Sequence, residues 1–227
     1  VVDDGSGDAT AEIVARMAHS EDRLQLLRQI NLGKATAMKS GFDAVRHEIV
    51  ISLDADTQFA PDTIGELVRP FGDPAVAAVS GRARVGNSKT LVARFQSLEY
   101  TCGFNLDRRA YHLLNCITVV PGAVSAFKKS AVFAAGGIST DTLAEDTDLT
   151  LSLHKQGLKI CYAPKAVAWT EAPETIRAFA KQRFRWAFGT LQCLWKHREL
   201  LFNGKYRALG WFSLPSAWFF NILLVAL

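Results

Sequence analysis

The stretch EIVISL (Glu48–Leu53), followed at once by Asp54-Ala55-Asp56, constrains the chain more than any other. A short, β-branched apolar run reads as a buried strand. Comparable runs recur at Ala75–Gly81, Cys116–Lys129 and Lys159–Pro164. Helical patterns separate them, over Ala9–His19, Lys34–Val45, Pro61–Phe71, Leu91–Leu114 and Asp146–Gln156. Strands alternating with helices predict an α/β sheet with helices on both faces. Ligands of open α/β sheets bind outside the carboxyl ends of the strands.

Acidic residues fall at such ends. Val1-Val2 runs into Asp3-Asp4, as the last residues of a strand that begins upstream. Glu145-Asp146 stands at a helix start. Carboxylates there are often turn residues or helix caps, and Asp146 or Asp148 fits a cap. Asp54 and Asp56 are harder to read that way. Two carboxylates at i and i+2 after an apolar strand concentrate negative charge, which a hard divalent cation relieves. Mg²⁺ typically takes one or two carboxylates plus phosphate oxygens. Lys34 begins a helix, where it reads either as a phosphate contact or as a surface lysine. The glycine spacing around it is not that of a P-loop, and no GxGxxG turn follows a strand. A nucleotide diphosphate carrying a group to transfer accounts for most of these features.

Charge and cysteines narrow the field. With 26 Lys+Arg against 22 Asp+Glu the net charge is +4, too mild to point to nucleic acid. Basic residues cluster from Lys181 to Arg207, which favours an anionic ligand or membrane surface. Cys102, Cys116, Cys161 and Cys193 lack metal-type spacing and read as reduced, mostly buried thiols of a cytosolic domain. The five histidines share no spacing and read as surface or core residues.

The segment FAKQRFRWAFG (Phe179–Gly189) reads as a helix that starts near Pro173. Gln182, Arg185 and Trp186 then share one face. Phe184, Phe188, Leu191 and Trp195 form an apolar stripe, expected to hold the helix against the domain and a membrane surface. Arg183 falls off the first face and reads as structural or membrane-contacting. Downstream, Ala208–Leu227 carries no charge, has Trp211 and Trp218 at interfacial positions, and follows Arg198, Lys205 and Arg207. This is the expected start of a transmembrane helix, which needs about 20 mostly apolar residues.

Taken in order, VVDDGS, DAD, AED and QRFRW resemble the motifs of the processive, membrane-embedded members of glycosyltransferase family 2. VVPGAVSAFKK, TLAEDTDLTL and AWTEAPETIRAFAKQRFRW are most similar to poly-β-1,6-N-acetylglucosamine synthases. Cellulose, chitin and hyaluronan synthases share the core motifs. The resemblance implies a GT-A, Rossmann-like fold with a mostly parallel sheet, a cytosolic catalytic domain over 1–200 lacking its first strand, and a membrane-interface segment over 201–227. It implies inverting transfer from a UDP-sugar to a growing polysaccharide at the inner or plasma membrane, the catalytic domain being cytoplasmic. Asp146 would be the base, Asp56 the ligand of Mg²⁺ or Mn²⁺, and Asp54 and Glu145 its neighbours at the nucleotide-sugar. Asp4 and Asp3 would contact uridine, Gln182 and Arg185 the diphosphate, and Trp186 the acceptor. Membrane lipid is an implied partner, nucleic acid is not, and the pattern leaves room for a small membrane subunit. A non-processive transferase and a catalytically silent nucleotide-sugar sensor are the alternatives.

Overall fold

The computed structural model describes residues 1–226, with side chains through Asn221. Strand β1 (Val2–Asp4) leads through helix α1 (Thr10–Ser20) to β2 (Leu27–Gln29), and the two strands pair in parallel, Asp4 opposite Gln29. Next come α2 (Lys34–Ala44), β3 (Ile49–Ser52), β4 (Gln58–Phe59), α3 (Thr63–Val68) and β5 (Val76–Val85). Then follow α4 (Leu91–Thr101), α5 (Arg108–Leu113), β6 (Ser125–Lys128) and α6 (Lys129–Ala134). The chain continues with α7 (Glu145–Lys155), β7 (Lys159–Thr170), α8 (Ile176–Lys196) and α9 (Leu214–Ala226).

The larger sheet has the order β3-β6-β5-β7-β4. Its residues alternate between two apolar clusters. Ala78 and Phe127 pack with Phe42, Leu149 and Leu153, while Val79 and Ala126 pack with Leu67, Ala93 and Tyr100. Helices thus cover both faces, as the strand–helix rhythm predicts. The strand directions differ from expectation. Only β5 and β7 run parallel in this sheet, and the β3–β6, β5–β6 and β4–β7 pairings are antiparallel. A strand buried on both faces is an apolar run whichever way it points, so its sequence does not carry its direction.

The long helix expected over Leu91–Leu114 has a wide π turn, Cys102–Asp107, between α4 and α5. Asn105 in this turn is buried and accepts a hydrogen bond from the Tyr162 hydroxyl at 2.9 Å. The turn resets the helical register, and Arg108 enters the interior on the following turn. Of the Cys116–Lys129 run only Ser125–Lys128 forms a strand. The preceding stretch is pinned to α7 by Thr150, whose hydroxyl accepts from the Val120 amide at 3.0 Å and donates to the Asp146 carbonyl at 2.7 Å.

Helix α8 starts three residues after Pro173, capped by Thr175, whose hydroxyl accepts from the Ala178 amide at 3.2 Å. Its inner face is made of small residues, Ala187, Gly189 and Cys193, with Leu194. The aromatic stripe turns outward: Phe184 and Trp195 are 67% and 64% exposed. These rings therefore do not pack the helix onto the domain, although Leu191 of the same stripe does. Beyond α8, Leu200, Leu209 and Leu214 join Leu151, Cys193 and Leu194 in a third cluster. Among the described residues no helix is long and apolar enough to cross a membrane. α9 has 13 residues, roughly 20 Å of helix against a hydrocarbon core of about 30 Å. Leu227 lies outside the described residues.

The small inner face permits a close approach. A Cβ on Gly189 would stand 2.9 Å from the backbone nitrogen of Ala144 and 2.9 Å from the carbonyl carbon of Leu143. Both belong to the segment that opens α7. Gly189→Ala is expected to destabilise the protein by about 1–3 kcal/mol, the usual range for overpacking. Thermal unfolding checks this, at about 2–4 °C per kcal/mol for a chain of this size.

Candidate active site

One cavity of about 940 Å³ opens at the ends of β3 and α7 and runs under α8. Lys34, Asp54, Asp56, Glu145, Asp146, Gln182, Arg185 and Trp186 all line it. Eight of the residues singled out in the sequence therefore meet in one place, although Lys34 and Trp186 lie far apart in the chain.

Lys34 holds the acidic side together. Its Nζ lies 2.8 Å from Asp54 Oδ1 and 3.8 Å from Glu145 Oε1. Burial pulls the ammonium pKa down, but Asp54 and Glu145 outweigh that pull and the net value lies above the ordinary one. Gly122 makes room for the pair. A Cβ there would meet Lys34 Nζ at 2.7 Å and Asp54 Oδ1 at 3.1 Å.

Asp56 is exposed to the cavity, and its Oδ1 accepts from the hydroxyls of Thr57 at 3.1 Å and Thr170 at 3.2 Å. Its Oδ2 has no hydrogen-bond partner among the described residues. Among those residues no three His, Cys, Asp or Glu side chains form a metal cage. Asp54 and Asp56 nevertheless fit a hard divalent cation that takes its remaining ligands from a diphosphate and water, because both offer carboxylate oxygen.

Asp146 is part-buried at the N-terminus of α7. Burial, and then Glu145 beside it, push its carboxyl up to about 6. The Thr147 amide, which donates to Oδ1 at 2.8 Å, and the cations Lys34 and Arg108 oppose that rise. Asp148, the other candidate cap, faces away from the cavity. It is bound by His197 at 2.6 Å and Lys196 at 2.9 Å, which ties the start of α7 to the end of α8.

On α8, exposed Arg185 has no ion pair among the described residues, and Gln182 has a buried Oε1 without a partner. Arg183 is not off the working face. It lines the cavity and stacks on Trp186 with its guanidinium carbon 4.5 Å from the ring centroid.

Asp3 and Asp4 do not line this cavity. Buried Asp3 accepts from the Ser6 amide at 3.1 Å and lies 3.8 Å from Arg28 Nε. Asp4 accepts from the amides of Leu32 and Gly33 and from Gln29, and these bonds hold its carboxyl below the usual range. Both carboxylates brace the turns around β1 and the loop that leads to Lys34.

Several lining residues carried no sequence signal. Arg108 is buried, donates to the Ser80 hydroxyl and lies 4.8 Å over the Phe104 ring. Burial pulls its pKa down to about 10, so it stays cationic at neutral pH. Glu99 and Tyr100 face the cavity from α4. An arginine or glutamate in an amphipathic helix looks like any solvated residue until the partner helix is known.

The model of glycosyl transferase family group 2 matches residues 49–227, and the chain belongs to that family. It is 34% identical over 190 residues to a poly-beta-1,6-N-acetyl-D-glucosamine synthase of Staphylococcus aureus (strain COL), covering 83% of this chain and 46% of that protein. The same figures hold for the synthase of that name from Staphylococcus epidermidis. The chain thus spans about half the length of the curated relatives it matches. Among solved structures, it is similar to a mannosyltransferase from Pyrobaculum calidifontis in complex with GDP-Man and Mn²⁺. That match has a TM-score of 0.74 and 24% identity and covers 100% of this chain and 64% of the other. A glucosyl-3-phosphoglycerate synthase from Mycobacterium tuberculosis, with Mn²⁺ and UDP-glucose, matches with a TM-score of 0.55 and 21% identity, covering 85% and 67%. The fold is GT-A.

The raised pKa of Asp146 has a signature in stability. The folded chain holds this proton more tightly than the unfolded chain, where the group titrates near 3.8. Stability is therefore lost as pH rises from about 4 to about 6 and stays at the lower level above that. Asp146→Asn removes the effect. The variant is expected to melt above wild type at about pH 7.5 and to match it at about pH 4, in scans without nucleotide or divalent cation.

Proposed function

We propose that this chain is the catalytic part of an inverting, processive glycosyltransferase. It moves a sugar from a UDP-sugar, UDP-N-acetylglucosamine, to the end of a growing β-linked polysaccharide. The observation that carries the reading is the meeting of the two carboxylate motifs with Gln182, Arg185 and Trp186 around one cavity. The donor sugar rests on the relatives, which are named for poly-N-acetylglucosamine synthesis.

The chemistry needs few parts. Asp146, ionised above about pH 6, takes the proton of the acceptor hydroxyl as that oxygen attacks the anomeric carbon. The bond to the diphosphate breaks on the opposite face, configuration inverts, and UDP leaves with the negative charge. Asp56, with Asp54 beside it, would hold Mg²⁺ or Mn²⁺. Such an ion, present in structural neighbours solved with nucleotide sugars, supplies charge neutralisation at the diphosphate. Arg185, without an ion pair among the described residues, forks onto phosphate oxygens. Lys34 lends a second cation there. Asp3 and Asp4 serve uridine through the turn and loop that they brace. The Trp186 indole offers an apolar face to the C–H side of a pyranose. The outward aromatics Phe184, Phe188 and Trp195, with Trp211 and Phe212, suit a lipid surface. The protein then works at the inner or plasma membrane with this domain in the cytoplasm.

Radiolabel incorporation into polymer by the full-length protein in detergent tests the reading. UDP-N-acetylglucosamine should label polymer and UDP-glucose should not. Asp146→Asn should lower turnover about 10²–10⁴-fold while UDP binding stays near wild type. Turnover within a few-fold of wild type would leave Asp146 as a helix cap. Arg185→Ala and Trp186→Ala should fail differently. The first weakens UDP binding, as expected for a charge-assisted fork of about 1.5–3 kcal/mol. The second keeps UDP binding and loses elongation. Matched losses of melting temperature without that split would make α8 a packing element only.

A further inference from the structure

Arg183 is held far more tightly than the positions around it require. Its Nη1 and Nη2 fork onto Glu99 of α4 at 2.5 and 2.7 Å, and Nη2 also reaches Gln96 Oε1 at 3.4 Å. Gln96 is itself fully buried and donates to the Pro173 carbonyl at 3.1 Å, just ahead of α8. The guanidinium lies between two rings of its own helix, 4.7 Å from the Phe179 centroid and 4.5 Å from that of Trp186. Phe104 leans on Trp186 from the π turn at 6.3 Å. Glu99, Arg183, Phe179 and Trp186 all line the cavity.

An indole on one helix can swing about its side-chain bonds, and a swinging ring is a poor stacking surface. A guanidinium fixed by a bidentate carboxylate and laid over the ring removes that freedom. It also covers part of the indole, which leaves the rest for a ligand. We infer that Arg183 and Glu99 are positioning residues that fix the Trp186 ring as the surface on which the acceptor sugar stacks. They set how well the acceptor is held and leave the donor nucleotide untouched. The inference rests on the proposed reading of Trp186 as the acceptor platform.

The test compares full-length wild type, Glu99→Gln, Arg183→Lys, Arg183→Met and the Glu99→Gln/Arg183→Met double variant. The readouts are UDP affinity by calorimetry with Mn²⁺, KM and kcat for an N-acetylglucosamine oligosaccharide primer with UDP-N-acetylglucosamine, and melting temperature. Arg183→Met should raise primer KM on the order of tenfold, the reach of a cation–π contact of about 1–2 kcal/mol. Glu99→Gln and Arg183→Lys should fall between it and wild type, and the double variant should be no worse than Arg183→Met. UDP affinity should stay within about twofold throughout. Unchanged primer KM, additive losses in the double variant, or a parallel loss of UDP affinity overturns the inference. So does a fall in kcat that tracks melting temperature with KM fixed. Glu99→Gln, nearly isosteric, decides the case if Arg183→Met does not fold. A wild type that extends no primer sinks the functional reading and this inference with it. A wild type that extends primer beside unaffected variants sinks this inference alone.

Discussion

The close contact between α8 and the segment that opens α7 governs the site. Gly189 comes within van der Waals contact of the Ala144 backbone, with no room for a side chain. One residue further, α7 begins at Glu145 and Asp146. Helix α8 carries Gln182, Arg185 and Trp186 one and two turns before Gly189. The distance between the acidic groups and the α8 face is therefore fixed by backbone approach, and not by flexible side chains. Asp148 clamps the other end of the contact through His197 and Lys196. Packing of small residues thus sets the separation, and the Asp148 contacts tie the two helices a second time.

Charge follows from that geometry. Four carboxylates, Asp54, Asp56, Glu145 and Asp146, line the cavity together with Lys34 and the buried Arg108. The cations leave the cluster short of neutral. Burial first, and then the Glu145 carboxylate beside it, raise Asp146. A stability-optimised chain would replace one of these acids. Keeping them all is the pattern of a site in which strain serves function.

The parts legible in the sequence were those encoded locally. Apolar runs marked β3, β5 and β7, and glycine and proline marked helix ends. The acids at strand and helix termini were read from position alone, and the cavity gathers them. Asp3 and Asp4 lie outside that cavity, where Asp4 holds a loop through Leu32 and Gly33. Strands β2 and β4 have three and two residues, too few to show a period. The outward turn of Phe184 and Trp195 was hidden for another reason. An aromatic stripe looks like a packing face unless one knows that Ala187, Gly189 and Cys193 already supply it. The Arg183–Glu99 pair joins residues 84 positions apart, and no local pattern announces such a partner.

The π turn at Cys102–Asp107 has an evolutionary side. A π turn is the mark of one extra residue accommodated in an α-helix without breaking it. Deleting one residue from this stretch would let the helix heal into a regular spiral. Everything after it would then rotate by about 100°. Arg108 would swing out of the cavity wall and an exposed neighbour would swing in. The interior arginine thus depends on a count of residues as much as on their kinds. A lineage could gain or lose this cation in a single insertion or deletion, with every side chain in the acidic and α8 motifs unchanged.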